Sequence, residues 1–287
     1  MSGLNEKNLK IAKTIKLFIG GDFPRTESGR SLPLYAYKSK NTYAHICRGS
    51  RKDLRNAVTA AQSALHGWQS KSAYNRGQIL YRMAEMMEAR RSELIETMAA
   101  TLGYKSSAAN KSVDAAIDAF VYYAGFADKF QQVMGSVNPV SGPHHNFTTT
   151  EAVGVVALIG DQKFNFEKFV AQLAAIIASG NVVVALMGFE GSALLAPLAE
   201  ILATSDLSKG VINLLTGDVE ELAPHFATHM EIQSLSYQGR DKKLFKDFQL
   251  NAGLNMKRIV PTISKDLSLE HLTYYVEFKT VWHPIGN

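Results

Sequence analysis

A length of 287 residues, of which 46% are hydrophobic, is enough for one large globular domain with a small appendage and excludes general disorder. The formal net charge of +5 comes from basic residues scattered among acidic ones, so we expect no nucleic-acid binding, which needs a concentrated basic stripe. The single cysteine excludes an internal disulfide framework, and the polar start of the chain, with no apolar run of about 18 residues, predicts a soluble cytoplasmic protein without a membrane span.

The first predicted elements are short strands. Residues 17–22 indicate a strand that ends in a glycine turn at Gly20 and Gly21. Residues 32–37 and 42–48 indicate two further strands, which we expect to form a hairpin.

Three amphipathic helices are predicted next. Apolar residues recur with helical spacing from Asp53 to Trp68, and again from Ile79 to a stop signal at Gly103. A third stripe includes Val113 and ends near Gln132.

A change of composition marks an internal boundary. Residues 133–153 are rich in Gly, Pro, Ser, His and Thr, which predicts a projecting loop or hairpin. Residues 154–159 are continuously apolar, as expected for a strand buried on both faces of a parallel sheet. Strands and helices then alternate, which predicts an α/β fold with a doubly wound parallel sheet. The later strands are predicted at 182–186, 211–215, 235–237 and 257–260, and the helices between them at 166–178, 192–203, 219–229 and 241–250.

A closing strand is predicted at residues 275–282, soon after the last strand of that sheet. It places Val276, Phe278, Thr280 and Trp282 on one face. A strand so rich in aromatic and β-branched residues needs a covering partner.

The order of several motifs resembles the aldehyde dehydrogenase superfamily. The matching segments are residues 17–21, 57–68, 76–90, 154–156, 178–184 (Ala-Ser-Gly-Asn-Val-Val-Val) and 210–217 (Gly-Val-Ile-Asn-Leu-Leu-Thr-Gly). This resemblance implies the Rossmann-like coenzyme-binding fold of that family. Residues 23–31, 75–81, 127–129 and 279–286 are more similar to the second, non-catalytic domain of the family 16 enzymes.

The resemblance also implies what is missing. In the family, a catalytic domain with a cysteine nucleophile and a Glu-Leu-Gly-Gly motif lies between the landmarks that here are separated only by residues 261–274. We therefore expect residues 1–132 and 154–270 to form the coenzyme-binding domain. Residues 133–153 and 271–287 would form an oligomerisation arm, consisting of the hairpin and the C-terminal strand.

The family's oxyanion-binding asparagine has no clear equivalent. Counting back from Gly180 without gaps, Lys163 falls at that position, and a flexible cation is a poor preorganised donor. Asn165 would take the role only if the loop were shifted by two residues, and an asparagine in such a turn more commonly binds the local backbone.

The cofactor-binding positions that the resemblance assigns are degenerate as well. Leu186 stands where the family has a ribose-binding lysine, and a leucine cannot donate to a ribose hydroxyl group. Gly217 closes the Gly-Val-x-Asn segment, and Gly239 keeps the tight turn that precedes the pyrophosphate-binding helix. Arg240 replaces a serine of that turn, so it either contacts phosphate or is an exposed residue at a helix start, and Leu244 replaces the second glycine.

Other candidate reactive residues are better explained structurally. Cys47 lies on a predicted strand in the N-terminal part, where a cysteine is usually a small buried residue. His225 and His229 follow Glu221 at helical spacing, but Pro224 disturbs the geometry and no fourth ligand is near, so we expect no metal site.

These observations predict a pseudoenzyme of the aldehyde dehydrogenase family that acts as a structural or oligomerisation subunit. We expect no cofactor, with weak NAD(P) binding left open, and no catalytic residue. The expected partners are further copies of the chain or an active aldehyde dehydrogenase. The alternative is an NAD(P)-dependent aldehyde oxidoreductase, or one half of a split enzyme that a second polypeptide completes.

Overall fold

The computed structural model describes residues 12–260, 262 and 266–286. The strands are β1 Lys13–Ile15, β2 Ser31–Tyr35, β3 Thr42–Cys47, β4 Ser136–Asn138, β5 His144–Ala152, β6 Val155–Ile159, β7 Val182–Leu186, β8 Ile212–Leu215, β9 Ser234–Tyr237, β10 Arg258–Val260 and β11 Val276–Pro284. The helices are α1 Arg51–Gln69, α2 Ala73–Ala89, α3 Arg91–Leu102, α4 Ser106–Phe126, α5 Phe130–Met134, α6 Phe166–Ala178, α7 Leu195–Ala203, α8 Val219–Thr228, α9 Lys242–Gly253 and α10 Glu270–Thr273, with a 3-10 turn at Phe189–Leu194.

The core is a five-stranded parallel sheet in the order β10-β9-β6-β7-β8. Every residue of β6, β7, β8 and β9 is buried, as the continuous apolar runs predicted. Helix α1 packs against β7 and β8, while α6 packs against β7 and carries α2 and α4. The strand order reverses between β6 and β9, so the predicted doubly wound α/β fold is confirmed.

The N-terminal part forms a separate three-stranded sheet in the order β1-β3-β2. The hairpin predicted at 32–37 and 42–48 is confirmed by the antiparallel pairing of β2 with β3. The strand predicted at 17–22 is wrong, because Phe18 and Ile19 make only isolated bridges. Gly20 and Gly21 have φ of +61° and +82°, so the chain turns back before a ladder can form.

The second predicted helix is two helices. Arg90, with φ −106° and ψ 17°, separates α2 from α3. Gly103 ends α3 in the left-handed conformation, as predicted. The third helix is shorter than predicted, because α4 ends at Phe126 and α5 follows as a separate turn.

The arm segments form a third sheet in the order β11-β5-β4. Strands β4 and β5 are antiparallel, which confirms the hairpin predicted at 133–153. Strand β11 runs antiparallel to β5, with Val276 opposite Ala152 at one end and Pro284 opposite His144 at the other. Beyond the buried Val276, all of β11 is exposed. In the part of the chain that the structure describes, no helix has the length and hydrophobicity needed to cross a membrane.

Candidate functional site

A cleft opens where the strand order of the parallel sheet reverses. Doubly wound sheets bind ligands at this position, outside the carboxyl ends of the strands. Gly160 follows β6 there, and Gln238 follows β9. The cleft has a volume of about 550 Å³, and its lining includes Lys163, Arg240 and Leu244. The turn that the sequence resemblance assigns to pyrophosphate binding reaches this cleft through Arg240.

Helix α9 starts at this cleft, and its first turn is already bound to a carboxylate. Asp241 is the N-cap, and its Oδ1 accepts hydrogen bonds from the N–H groups of Lys243 at 2.8 Å and Leu244 at 3.1 Å. The N-terminus of a helix binds anions because its first N–H groups lack partners. In this protein the Asp241 carboxylate occupies the position of a bound anion. Asp241 was not among the site residues predicted from the sequence, although aspartate immediately before an amphipathic stretch is a common N-cap signal.

Tyr237 occupies the space beside Gly239. A Cβ built on Gly239 would lie 2.0 Å from the Tyr237 hydroxyl oxygen, so the tyrosine ring lies directly against this turn. Burial raises the pKa of Tyr237, while a hydrogen bond from the Asp241 backbone opposes that rise. Gly239 is therefore needed for the packing of Tyr237.

Among the described residues, the charges that line the cleft are predominantly negative. Carboxylates come from four lining residues: Asp161, Glu190, Glu220 and Asp241. Two basic side chains, Lys163 and Arg240, face them, and both are exposed. Since the field in a cleft is the sum of its charges, a dianionic pyrophosphate would be disfavoured here.

The two candidates for the oxyanion position, Lys163 and Asn165, have different surroundings. Lys163 lines the cleft. Asn165 is the N-cap of α6, where its Oδ1 accepts from the Lys168 N–H at 2.8 Å. Its Nδ2 donates to Glu167 Oε1 at 3.3 Å. The side-chain amide of Asn165 is thus already engaged in local hydrogen bonds.

Leu186 and Gly217 belong to the scaffold below and beside the cleft. Leu186 is 0% exposed at the end of β7, and its carbonyl oxygen accepts from the Gly160 N–H at 2.9 Å. Gly217 has φ +156°, and a Cβ on it would lie 3.1 Å from Gly49 N. Gly217 lines a smaller neighbouring pocket of about 200 Å³, whereas Arg240 lines the cleft and Gly239 lines neither of the two.

A second pocket of about 340 Å³ lies between α8 and α9 and adjoins the cleft through Glu220, Asp241 and Leu244. Ala223 and Phe248 contribute apolar surface to it.

The remaining candidates lie outside the cleft lining. Cys47 is 2% exposed on β3, and its backbone carbonyl accepts from Thr216 Oγ1 at 2.7 Å. His225 lies in α8, but that helix ends at Thr228, so His229 is not on the same helical face as predicted. The His229 carbonyl instead accepts from Lys257, a buried side chain whose pKa falls to about 8 because of desolvation. Within the described ranges, no group of three or more His, Cys, Asp or Glu side chains is placed to hold a metal ion.

A buried polar network was not foreseen from the sequence. Gln172, in the middle of the apolar helix α6, donates to Ser236 and, at 2.8 Å, to the Tyr275 hydroxyl group. Gln238 donates to Gln172 Oε1 at 2.7 Å. The carbonyl oxygen of Tyr275 accepts from Asn181 Nδ2 at 2.8 Å. These hydrogen bonds hold Tyr275, the residue immediately before β11, against the parallel sheet and α6.

Comparison with known proteins gives a consistent result. The model of the aldehyde dehydrogenase family matches residues 24–261. A mitochondrial benzaldehyde dehydrogenase of Antirrhinum majus is 30% identical over 248 residues, which cover 85% of this chain and 46% of the relative. Human retinal dehydrogenase 2 is 30% identical over 258 residues, covering 88% of this chain and 49% of the relative.

Solved structures show the same relationship. A point mutant of an aldehyde dehydrogenase from Bacillus cereus superposes with a TM-score of 0.81 at 25% identity and covers 87% of this chain and 50% of its own. An NAD-dependent aldehyde dehydrogenase from Sinorhizobium meliloti reaches a TM-score of 0.82 at 22% identity, which shows the shared fold alone. The chain spans about half the length of these relatives.

Proposed function

This chain belongs to the aldehyde dehydrogenase family, and we propose that it is a non-catalytic member that acts as an assembly subunit. It would associate with further copies of itself or with an active aldehyde dehydrogenase. The observation that carries this proposal is the Asp241 carboxylate on the first turn of α9. It occupies the donors that the family resemblance assigns to the pyrophosphate of NAD(P).

The residues of the cleft do not fit NAD(P). A pyrophosphate at α9 would have to displace the Asp241 side chain from the N–H groups of Lys243 and Leu244. Leu186 offers the ribose no donor, and one charge-assisted hydrogen bond is worth about 1.5 to 3 kcal/mol. Since about 1.4 kcal/mol is tenfold in affinity, the missing ribose donor alone weakens NAD(P) binding about tenfold or more, and displacing Asp241 weakens it further.

The chain also offers no exposed thiol. Its single cysteine, Cys47, is buried on β3 beneath the hydrogen bond from Thr216. A thiolate must reach an aldehyde carbon to form a covalent intermediate. We therefore propose that the chain does not oxidise aldehydes.

The arm supports the assembly role. Phe278 is 51% exposed and Trp282 is 60% exposed on β11. Two half-exposed aromatic residues on one edge strand indicate an interaction surface. The chain resembles the second, non-catalytic domain of the family 16 enzymes, and that domain is a precedent for a non-catalytic member of the family.

The competing function is an NAD(P)-dependent aldehyde oxidoreductase, alone or as one half of a split enzyme. The retained five-stranded sheet and the presence of glycine at positions 217 and 239 favour it. It requires the Asp241 cap to open when the nucleotide arrives.

Calorimetric titration with NAD and with NADP separates the two functions. We expect no saturable heat up to millimolar nucleotide, both for the chain alone and for any complex that copurifies with it. Saturable binding in the micromolar range would support the oxidoreductase instead. Size-exclusion chromatography with light scattering tests assembly, and a monomer at every concentration with no copurifying dehydrogenase would contradict our proposal.

A further inference from the structure

The outer edge of β11 carries backbone groups that β5 does not use. The Val153 N–H donates to the Tyr275 carbonyl oxygen at 3.3 Å, and the Ile285 N–H donates to the Pro143 carbonyl oxygen at 2.9 Å. Because the backbone groups of successive strand residues point to opposite sides, the odd-numbered residues between them face β5. The even-numbered residues face the free edge.

Each end of this free edge has one backbone position that cannot pair with another strand. The Val276 carbonyl accepts a hydrogen bond of 2.8 Å from the Arg258 guanidinium group. Pro284, at the other end, has no N–H to donate. The open groups that remain are the N–H and C=O of Phe278, Thr280 and Trp282, the N–H of Val276 and the C=O of Pro284, and within the described residues none of them has a backbone partner.

We propose that this edge pairs with the same edge of a second copy, antiparallel, on a two-fold axis that passes beside Thr280. In this register Thr280 faces Thr280 of the second copy, and Phe278 faces Trp282. The free N–H groups of Phe278, Thr280 and Trp282 in each strand then meet the free carbonyls of the same residues in the other strand, and the Val276 N–H meets the Pro284 carbonyl. The inference rests on the proposed assembly function and names its partner and its register.

Charge and covalent structure exclude the neighbouring registers. A two-fold axis at Lys279 would place two lysines directly opposite each other and would direct Trp282 to the Val276 carbonyl, which Arg258 already occupies. An axis at Val281 would pair Phe278 with Pro284, which lacks a donor. The register at Thr280 instead places Lys279 opposite Val281 and Glu277 opposite His283.

The side chains favour a second copy as the occupant. Phe278 and Trp282 lie on the same face, are both about half exposed, and form two aromatic cross-strand pairs under the two-fold axis. A surface that complements itself in this way gives an isologous contact, which closes as a dimer rather than growing into a fibre. The two arm sheets would join into one continuous sheet.

The first test removes the edge N–H at the axis. Thr280→Pro deletes that donor, whereas the bonds to β5 come from the odd-numbered residues. The matched control is Thr280→Val, because both variants lose the 3.0 Å contact between the Thr280 and Thr148 hydroxyl groups. By sedimentation analysis of the full chain, we expect Thr280→Pro to weaken dimerisation at least tenfold and Thr280→Val to change it less than twofold. A dimer that Thr280→Pro leaves intact would overturn the inference while leaving the assembly function in place.

The second test reads the register directly and also decides the matter if Thr280→Pro does not fold. Under mild oxidation we expect Thr280→Cys to cross-link two copies faster than Lys279→Cys or Val281→Cys, because directly opposed residues lie about 5.5 Å apart. The native Cys47 is buried and serves as the background. Faster cross-linking at position 279 or 281, or a monomer at all concentrations, would refute the pairing. A monomer that still binds an active aldehyde dehydrogenase would refute this inference alone.

Discussion

One residue decides how the nucleotide-like cleft is understood. The sequence resemblance drew attention to Gly239 and Arg240, but the residue that blocks the helix N-terminus is the next one along the chain. An N-cap acts through its own side chain and the backbone two and three residues ahead, so it is readable from sequence only once the helix start is known. The predicted start at residue 241 included Asp241 in the helix, whereas α9 begins at Lys242. That difference of one position hid the cap.

The contribution of this cap to stability is measurable. Asp241→Ala leaves the N–H groups of Lys243 and Leu244 without their acceptor, and we expect it to lower the free energy of unfolding by about 0.5–2 kcal/mol. Asp241→Asn retains an acceptor oxygen and should cost less than Asp241→Ala. Urea unfolding monitored by circular dichroism gives both values. Equal losses in the two variants would mean that charge, rather than the hydrogen bonds, is what stabilises the turn.

Because His271 is buried, we expect the folded protein to lose stability in acid. Its Nδ1 lies 2.8 Å from the buried Tyr123 hydroxyl oxygen, and burial lowers the pKa of His271 below 6.5 although the charge of Glu270 opposes this. The unfolded chain therefore takes up a proton near pH 6.5 that the folded chain refuses, so stability falls as the pH drops below about 6.5. His271→Gln removes this contribution.

The measurement is the free energy of unfolding of His271→Gln at pH 7, 6 and 5. We expect a smaller decrease between pH 7 and pH 5 than in the unaltered chain, with part of the decrease retained because burial also lowers the pKa of His229. The exposed His66 supplies the control, and His66→Gln should keep the full decrease. An unchanged slope in His271→Gln would show that His271 titrates normally in the folded protein.

At the scale of elements, the sequence predicted what depends on periodicity and missed what depends on tertiary contacts. Strand β7 and helix α6 have the predicted bounds, because long apolar runs and strong helical periods leave few alternatives. The break at Arg90 carries no glycine or proline signal. It lies where Arg90 forms ion pairs with Glu93 and with the distant Glu200, a contact that local sequence cannot reveal.

The packing of α2 on α4 predicts opposite effects for two helical glycines. A Cβ on Gly77 would lie 2.8 Å from the Ala124 carbonyl oxygen, whereas a Cβ on Gly67 in α1 meets no atom of the described residues within 4 Å. Gly67→Ala should stabilise the chain by up to about 1 kcal/mol, because alanine is the better helix former. Gly77→Ala should destabilise it by about 1–3 kcal/mol through overpacking.

Thermal and urea unfolding of the two variants provide the comparison. The intrinsic gain in helix propensity is the same for both substitutions, so the difference between them measures the packing term. A stabilising Gly77→Ala would show that α2 and α4 can move apart at little cost.

At the scale of the whole molecule, strand β11 is attached both to the body that contains the parallel sheet and to the arm sheet formed with β4 and β5. Its root is held in the body through Tyr275, whose hydroxyl and carbonyl groups bind Gln172 and Asn181, and through the contact of Arg258 with Val276. Its remainder extends the arm sheet. The sequence predicted the closing strand and the hairpin separately, but Gln172 lies within an apolar helical run and gave no sign that it anchors the strand. A buried glutamine is informative only when its partners are known.

This dual attachment predicts an alternating pattern of hydrogen exchange along β11. The N–H groups of Lys279 and Val281 face β5 and should exchange slowly whether or not the chain is paired. The N–H groups of Phe278, Thr280 and Trp282 face the free edge, so they should exchange rapidly in dilute solution, where the monomer dominates. On concentration into the proposed dimer they should slow at least tenfold, while Lys279 and Val281 change little. Residue-resolved exchange by NMR at two protein concentrations checks this, and Thr280→Pro is the control that should abolish the slowing at Phe278 and Trp282. Slow exchange at all five positions in the dilute sample would instead mean that the outer edge is already covered within one chain.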